Sequence, residues 1–339
     1  MSARLAILAA GPSVTLQDAG RHGYLRYGIT AAGPMDPLAF ATANRAAGNP
    51  AGATAIEVSA GGLSVAAEDG PLGLVLASTG FRIALDGQAL PQAVALTLDP
   101  GRTLSVRAGP SGAWCYLAVC GRIAVPPMLG ATATHTRSNL GGLNGRALAA
   151  GDRLAVADAR TGAGNPQALV APWLDRPADV IRVVLGPQDD AFAPDQVDAF
   201  LAGPWTVGGR GDRMACFLDG QPLTHASGHD IVSDGIVMGA IQVPGEGLPI
   251  VLMADRQSTG GYPKIATVIG PDLGRLAQAQ AGTRLRFSAV TVAAAVLARR
   301  AEAETLGPDI RMEPVIRTTF PPEFLLGLNL VDGVVDARV

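Results

Sequence analysis

Between residues 254 and 265 the chain reads Ala-Asp-Arg-Gln-Ser-Thr-Gly-Gly-Tyr-Pro-Lys-Ile, directly after the apolar run 250–253. A carboxylate (Asp255), a guanidinium (Arg256), amide and hydroxyl groups (Gln257, Thr259), a phenol (Tyr262) and an ammonium (Lys264) are thus gathered at the end of one strand. Gly260 and Gly261 let a backbone come close to a ligand, and Pro263 fixes the exit of the loop. Cations aimed at a carbonyl oxygen stabilise the charge that develops there during attack, and a neighbouring carboxylate can carry the proton. Lys264 is the only lysine, every other basic side chain being arginine. The same residues could instead form a salt-bridged surface turn, with Asp255 paired to Arg256 or Lys264. Residue types alone leave both readings open.

Two further segments hold more polar and glycine residues than folding requires. One is Thr-Leu-Gln-Asp-Ala-Gly-Arg-His-Gly-Tyr at 15–24, continued by Gly-Pro-Met-Asp at 33–36. The other is Gly-Ala-Ile-Gln-Val-Pro-Gly at 239–245. They contribute Arg21, Tyr24 and Gln242, which would close a pocket and orient an amide edge. His225 and His229 are four apart, but the intervening Ala-Ser-Gly reads as loop and no third ligand is evident, so no metal site is assigned.

The elements that must hold these groups are mainly β. Hydrophobic residues make up 48% of the 339, aromatics 4%, and 43 glycines and 25 prolines punctuate the chain. That composition suits many short strands joined by turns and cores of Val, Leu, Ile and Ala. Strands are expected at 63–66, 72–77, 103–106, 114–119, 180–185, 249–254 and 284–288. Three helices are expected. The first spans 36–47, with Asp36 as N-cap and Pro37 in the first turn. The others cover 195–201 and 291–305. Leu-Asp-Gly-Gln-Ala-Leu at 85–90 recurs as Leu-Asp-Gly-Gln-Pro-Leu at 218–223. Gly70-Pro71, the apolar run 114–119 and Gly151–Leu154 find counterparts downstream at nearly the same offset. The pattern predicts a tandem duplication of β domains, at 1–165 and 178–300, with an extension at 301–339. The sheets are expected to close into barrels, which removes exposed edges.

Several classes are set aside by the same inventory. A formal charge of −3 offers no basic face for nucleic acid. Three scattered cysteines make neither a disulfide framework nor a zinc site and fit buried thiols of a reducing cytoplasm. No run reaches the ~18 apolar residues of a membrane span, and the start lacks the longer apolar core of a signal peptide. A cytoplasmic protein is expected. The sole lysine lies between Pro263 and Ile265, so the chain has no Gly-Lys-Ser/Thr nucleotide loop.

The ordered motifs Thr-Leu-Gln-Asp-x-Gly-Arg-x-Gly-Tyr, Gly-x-Met-Asp, Gly-Pro-Gln, Gly-x-Ile-Gln-Val-Pro and Asp-Arg-Gln-x-Thr-Gly-Gly-Tyr-Pro-Lys-Ile resemble the allophanate hydrolase subunit 2 family. That family includes the C-type subunit of ATP-dependent 5-oxoprolinase and the carboxyltransferase subdomains A and B of urea carboxylase, together with antagonists of a sporulation-kinase inhibitor. The resemblance runs from about residue 15 to 287. It implies two cyclophilin-like β-barrels, a subunit 1-type partner, and a lactam-utilisation subunit for the oxoprolinase role. ATP would then be used by the complex, and biotin would be carried by a partner only for carboxyl transfer. In the role it implies, Lys264 and Arg256 stabilise charge, Asp255 is the acid/base group, and Gln242, Gln257, Thr259, Gly260, Gly261, Tyr262, Arg21 and Tyr24 bind the amide. A purely regulatory role, sequestering a kinase inhibitor without catalysis, is the remaining alternative.

Overall fold

The computed structural model describes residues 3–162, 164–307 and 310–316. Fourteen strands, all but one from the first half of the chain, make two seven-stranded sheets. One sheet runs Arg122–Ile123, Arg153–Ala157, Ala3–Ala10, Leu63–Glu68, Thr103–Arg107, Arg82–Leu85, Gln88–Leu90. The other runs Thr15–Gln17, Ala55–Ser59, Trp114–Val119, Leu72–Ala77, Ala93–Leu98, Gln167–Leu169, Met312–Pro314. Alternate residues of both sheets, such as Leu5, Ile7, Val65, Leu74, Leu76, Leu96 and Leu117, meet in one buried core. The strands at the sheet ends are only two or three residues long, the usual way to blunt an open edge.

Seven later strands close into a barrel, in the order Val180–Leu185, Lys264–Val268, Ala240–Gln242, Ile250–Leu252, Ala215–Asp219, Trp205–Val207, Arg284–Ala289. Its interior continues into a second core that also takes in the outer face of the second sheet. Phe40, Trp114, Tyr116 and Ala118 thereby share one cluster with Trp205, Ile241, Val251 and Phe287. Both faces of Trp114–Val119 are buried for this reason.

Four helices span Pro37–Ala46 (α1), Pro194–Ala202 (α2), Gly270–Ala277 (α3) and Val292–Thr305 (α4). Asp36 caps α1 by accepting from the Ala39 N–H at 3.2 Å, and Thr291 caps α4 through Ala294 N–H at 3.2 Å. The helix α3 is not expected from the sequence, because Gly270, Pro271 and Gly274 read as loop. It is short and packs beside α1 and α4, where Gln278 just beyond its end knits the halves together. That side chain accepts from the Ala113 and Trp114 N–H groups and donates to Trp114 O and Asp36 Oδ2 at 2.9–3.1 Å.

The recurring segments take partly different places. Asp86 and Gly87 both have positive φ and make a two-residue hairpin between Arg82–Leu85 and Gln88–Leu90. Asp219-Gly220 instead end a strand and lead into a loop. The runs at 114–119 and 250–252 are both interior strands, each paired on two sides.

Candidate functional site

The loop after Ile250–Leu252 sends its consecutive charged residues in different directions. Asp255 turns into the junction between the two sets of strands, where Arg213 holds both its oxygens at 2.9 and 2.8 Å. The same guanidinium donates to Glu57 of the strand Ala55–Ser59 and, at 2.8 Å, to the Gly33 carbonyl. Glu57 also accepts from Met35 N–H and the Tyr116 hydroxyl, both at 2.8 Å. All three charged groups are buried. Two carboxylates therefore share one buried cation. Burial pushes Glu57 above the usual carboxylate range against the pull of Arg213. Burial also opposes charge on Arg213, but Glu57 and Asp255 overcome it and keep the guanidinium protonated. Burial and the carboxylates of Glu57 and Asp36 hold the Tyr116 phenol well up, so it stays a donor.

Next to this cluster lies His135, buried against the backbone of Asp255. Burial lowers its pKa from the ordinary 6.5, which leaves a neutral imidazole beside Asp255, Arg213 and Arg21 at pH 7. Arg21 is turned into the first half instead of across the junction. Its Nε donates to Met128 O and its Nη2 to Ala133 O, each at 2.9 Å, while Nη1 has no partner among the described residues. Gln17 works alongside it, donating to Thr134 O at 3.0 Å and accepting from Gly33 N–H at 3.1 Å. The polar 15–24 motif thus positions the 128–135 segment and the Gly33 carbonyl that Arg213 grips. Tyr24 meets Tyr27 at a tilt of 46°, ring centres 6.4 Å apart, and is half-buried. The expected closure by Arg21 and Tyr24 falls instead to their neighbours His22 and Leu25, which line a pocket facing Arg256.

Lys264 opens a barrel strand and is buried, its Nζ donating to Asp234 Oδ2 at 3.1 Å. The Lys264 hydrogen bond holds the exposed Asp234 carboxyl below its usual range. Gln188 brackets the lysine backbone, accepting from its N–H at 3.2 Å and donating its own N–H to the Lys264 carbonyl at 3.0 Å. Gln242 is the cross-strand neighbour of Lys264, placed there by a register shift after Ile241. Its amide reaches Tyr262 O at 3.5 Å. Gly260 lies so close that a Cβ there would sit 2.5 Å from Gln242 Nε2, so any other residue would push the Gln242 amide aside. Lys264, Gln242, Gly260 and Tyr262 are therefore brought together, with Tyr262 40% exposed at the mouth. Gly261 accepts from Ile231 N–H at 2.8 Å on the same side. Gln257 and Thr259 point to solvent. His225 is committed to Val243 O at 2.9 Å.

Arg256 takes a third direction, into a mostly apolar pocket between the halves. Neither salt-bridged turn suggested by the sequence forms. Asp255 pairs with Arg213, Lys264 with Asp234, and Arg256 with no carboxylate among the described residues. Sequence reasoning misses Glu57, Arg213, His135, Gln188 and Asp234. Gln188 belongs to the Gly-Pro-Gln motif, which reads as a turn. Nothing in the local sequence marks the others.

Residues 27–289 match the family model described as carboxyltransferase domain, subdomain A and B. The chain belongs to that family. Among curated members it is 38% identical over 301 residues to the 5-oxoprolinase C-type subunit of Escherichia coli (strain K12), covering 87% of this chain and 94% of that one. It is 32% identical over 305 residues to urea amidolyase of Saccharomyces cerevisiae, covering 83% of this chain but 16% of the yeast protein. The crystal structure of the K. lactis urea amidolyase gives a TM-score of 0.82 at 26% identity, over 89% of this chain and 20% of that one. The chain therefore spans nearly the whole of the E. coli relative and only a small part of the amidolyases. As a carboxyltransferase-family chain it has no described helix long and apolar enough to cross a membrane.

Proposed function

We propose that this chain is the C-type subunit of a cytoplasmic, ATP-dependent 5-oxoprolinase, acting with a subunit 1-type partner and a lactam-utilisation subunit to open the cyclic amide of 5-oxoproline to glutamate. The observation that carries this reading is the end-to-end match to the E. coli oxoprolinase chain, 94% of whose length is covered. A lactam is inert because resonance weakens its carbonyl as an electrophile. Polarising the oxygen is therefore the first requirement, and one well-placed donor lowers the barrier by ~2.7–4 kcal/mol. Lys264 is placed for that work, buried beside Gln242 and Gly260, with Asp234 and Tyr262 at the solvent side. Gln242 and Tyr262 orient the amide edge. Asp255 remains the acid/base group of the proposal, with Arg213 holding both its oxygens. Nucleotide chemistry belongs to the assembled complex.

The family model supports a second reading, carboxyl transfer from carboxybiotin on a partner to a urea-like acceptor. Glutamate release from 5-oxoproline and ATP separates the two, measured on the assembled complex with wild-type chain and with Lys264→Ala. We expect ATP-dependent release that falls at least about a hundredfold in the variant, matching the loss of one charge-stabilising donor. An assembled complex that releases no glutamate rejects the oxoprolinase reading and directs the next assay to biotin-linked carboxylation. Full activity in Lys264→Ala keeps the enzyme and removes the lysine from its site.

A further inference from the structure

A pocket of about 550 Å3 lies where the 19–38 loop and α1 face Met238, Arg256 and α4. Its wall is largely apolar, including Leu25, Pro34, Leu38 and Phe40. Arg256 lines it with only 6% of its surface exposed. The guanidinium's hydrogen bonds, to Ile236 O at 3.3 Å and Met253 O at 3.5 Å, are longer than the usual range. Its sequence neighbour Asp255 gives both oxygens to Arg213, so among the described residues Arg256 forms no salt bridge. Burial pulls this guanidinium below its ordinary range, and Asp255 opposes that only in part. The other charged groups on the wall, Arg299 and Glu302, neutralise one another at 2.7 Å. The pocket thus holds a buried guanidinium with no salt bridge among the described residues. A desolvated cation without a counter-ion is costly unless a ligand supplies one. Another junction cleft, of about 380 Å3, has Asp212 as its only charged lining residue, and in a third, of about 310 Å3, Arg176 and Arg275 are already paired with Asp36 and Asp272.

We infer that the Arg256 pocket takes a small organic monocarboxylate, with the carboxylate on the guanidinium fork and the apolar body against Leu38, Phe40 and Pro34. A planar fork matches a carboxylate with two parallel hydrogen bonds, which a neutral amide cannot do. The identity of the ligand rests on the oxoprolinase reading. On that reading it is 5-oxoproline, held by its exocyclic carboxylate, a group the ring-opening reaction leaves unchanged, in a binding pocket separate from the Lys264 cluster.

The test is calorimetric titration of the full chain with 5-oxoproline and with 2-pyrrolidinone, the same lactam ring without the carboxylate. Wild type should bind 5-oxoproline saturably and the neutral lactam far more weakly. Arg256→Gln should weaken 5-oxoproline by about ten- to a hundredfold, the worth of a charge-assisted hydrogen bond pair, and leave 2-pyrrolidinone within about twofold. Ala303→Trp, on the exposed side of α4 that borders the pocket, disturbs no core and should also weaken 5-oxoproline by filling the space. The inference is overturned by no saturable binding to wild type, by equal binding of the two lactams, or by unchanged 5-oxoproline affinity in either variant. Arg256-dependent binding without glutamate release from the assembled complex would sink the oxoprolinase reading and leave the pocket. Glutamate release with a KM unmoved by Arg256→Gln would do the reverse.

Discussion

Replacing Arg213 by Met removes the one cation between two buried carboxylates while keeping most of the side-chain volume. Glu57 and Asp255 would then face each other's field in a buried site, and the Gly33 carbonyl would lose its donor. Breaking a buried ion pair from one side costs about 3–5 kcal/mol, because the charge left behind has no partner. Arg213 serves two carboxylates, so the cost should be at the top of that range at pH 8. Glu57→Gln alone keeps the shape but takes an acceptor from either the Met35 N–H or the Arg213 fork, for about 1–3 kcal/mol. In the double variant Glu57 no longer leaves a charge behind, so the two costs should fall short of additivity by ~0.5–3 kcal/mol. A pH dependence follows with a definite sign. Without Arg213, the folded pKa of Glu57 rises further above its unfolded value of roughly 4. The unfolded chain then binds fewer protons than the folded one above pH ~4, and stability falls as pH rises. The penalty of Arg213→Met should therefore be smaller at pH 5 than at pH 8. Urea unfolding followed by tryptophan fluorescence and circular dichroism measures all four proteins. An Arg213→Met chain within about 1 kcal/mol of wild type at pH 8, or a penalty independent of pH, refutes the reasoning.

Gly260→Ala tests the close approach behind Lys264. The new methyl would press on Gln242 Nε2 and Ile236 Cδ1, each 2.5 Å away, at a cost of about 1–3 kcal/mol. Glutamate release should fall more than thermal stability does, and unchanged activity would show that Gln242 need not stay where it is. Asp272 governs the acid limb of stability. Burial alone would raise its pKa, but bonds from the Arg182 side chain and backbone and the charge of Arg275 overcome this and hold it below the usual range. Its contribution is present above the unfolded value of roughly 4 and is lost as pH falls through the lower folded value. Asp272→Asn should accordingly flatten the fall of stability below pH 4, and an unaltered slope there would contradict the assignment.

Where a few neighbouring residues decide the structure, the sequence can be read directly. Asp36-Pro37 and Thr291 start helices because their caps are local, and the runs at 72–77, 114–119 and 180–185 are strands with those limits. The loop 254–264 does carry three buried charges. Their partners are out of reach, because Arg213 and Glu57 stand 156 positions apart and meet only through the packing of the barrel on the second sheet. Glu57 in Ala-Ile-Glu-Val-Ser reads as the solvent side of a half-buried strand, yet both faces of that strand are covered. His135 sits in Ala-Thr-Ala-Thr-His-Thr, a run without the large apolar side chains that would mark a buried segment. His22 and Leu25 line the pocket, while Arg21 between Gly20 and His22 is turned to the carbonyls of Met128 and Ala133.

The strand Met312–Pro314 pairs with Gln167–Leu169, on the far side of the barrel in chain order. During translation that sheet edge stands open while the whole barrel and α4 are still being made. The first half can thus collapse early but reaches its final seven-stranded form only after the ribosome has passed the second. Order of synthesis and order of completion run differently, and a single cut just after Gln167–Leu169 would not yield two self-sufficient pieces. The downstream piece would carry away a strand belonging to the upstream one, a tether by which separately made fragments could find each other again.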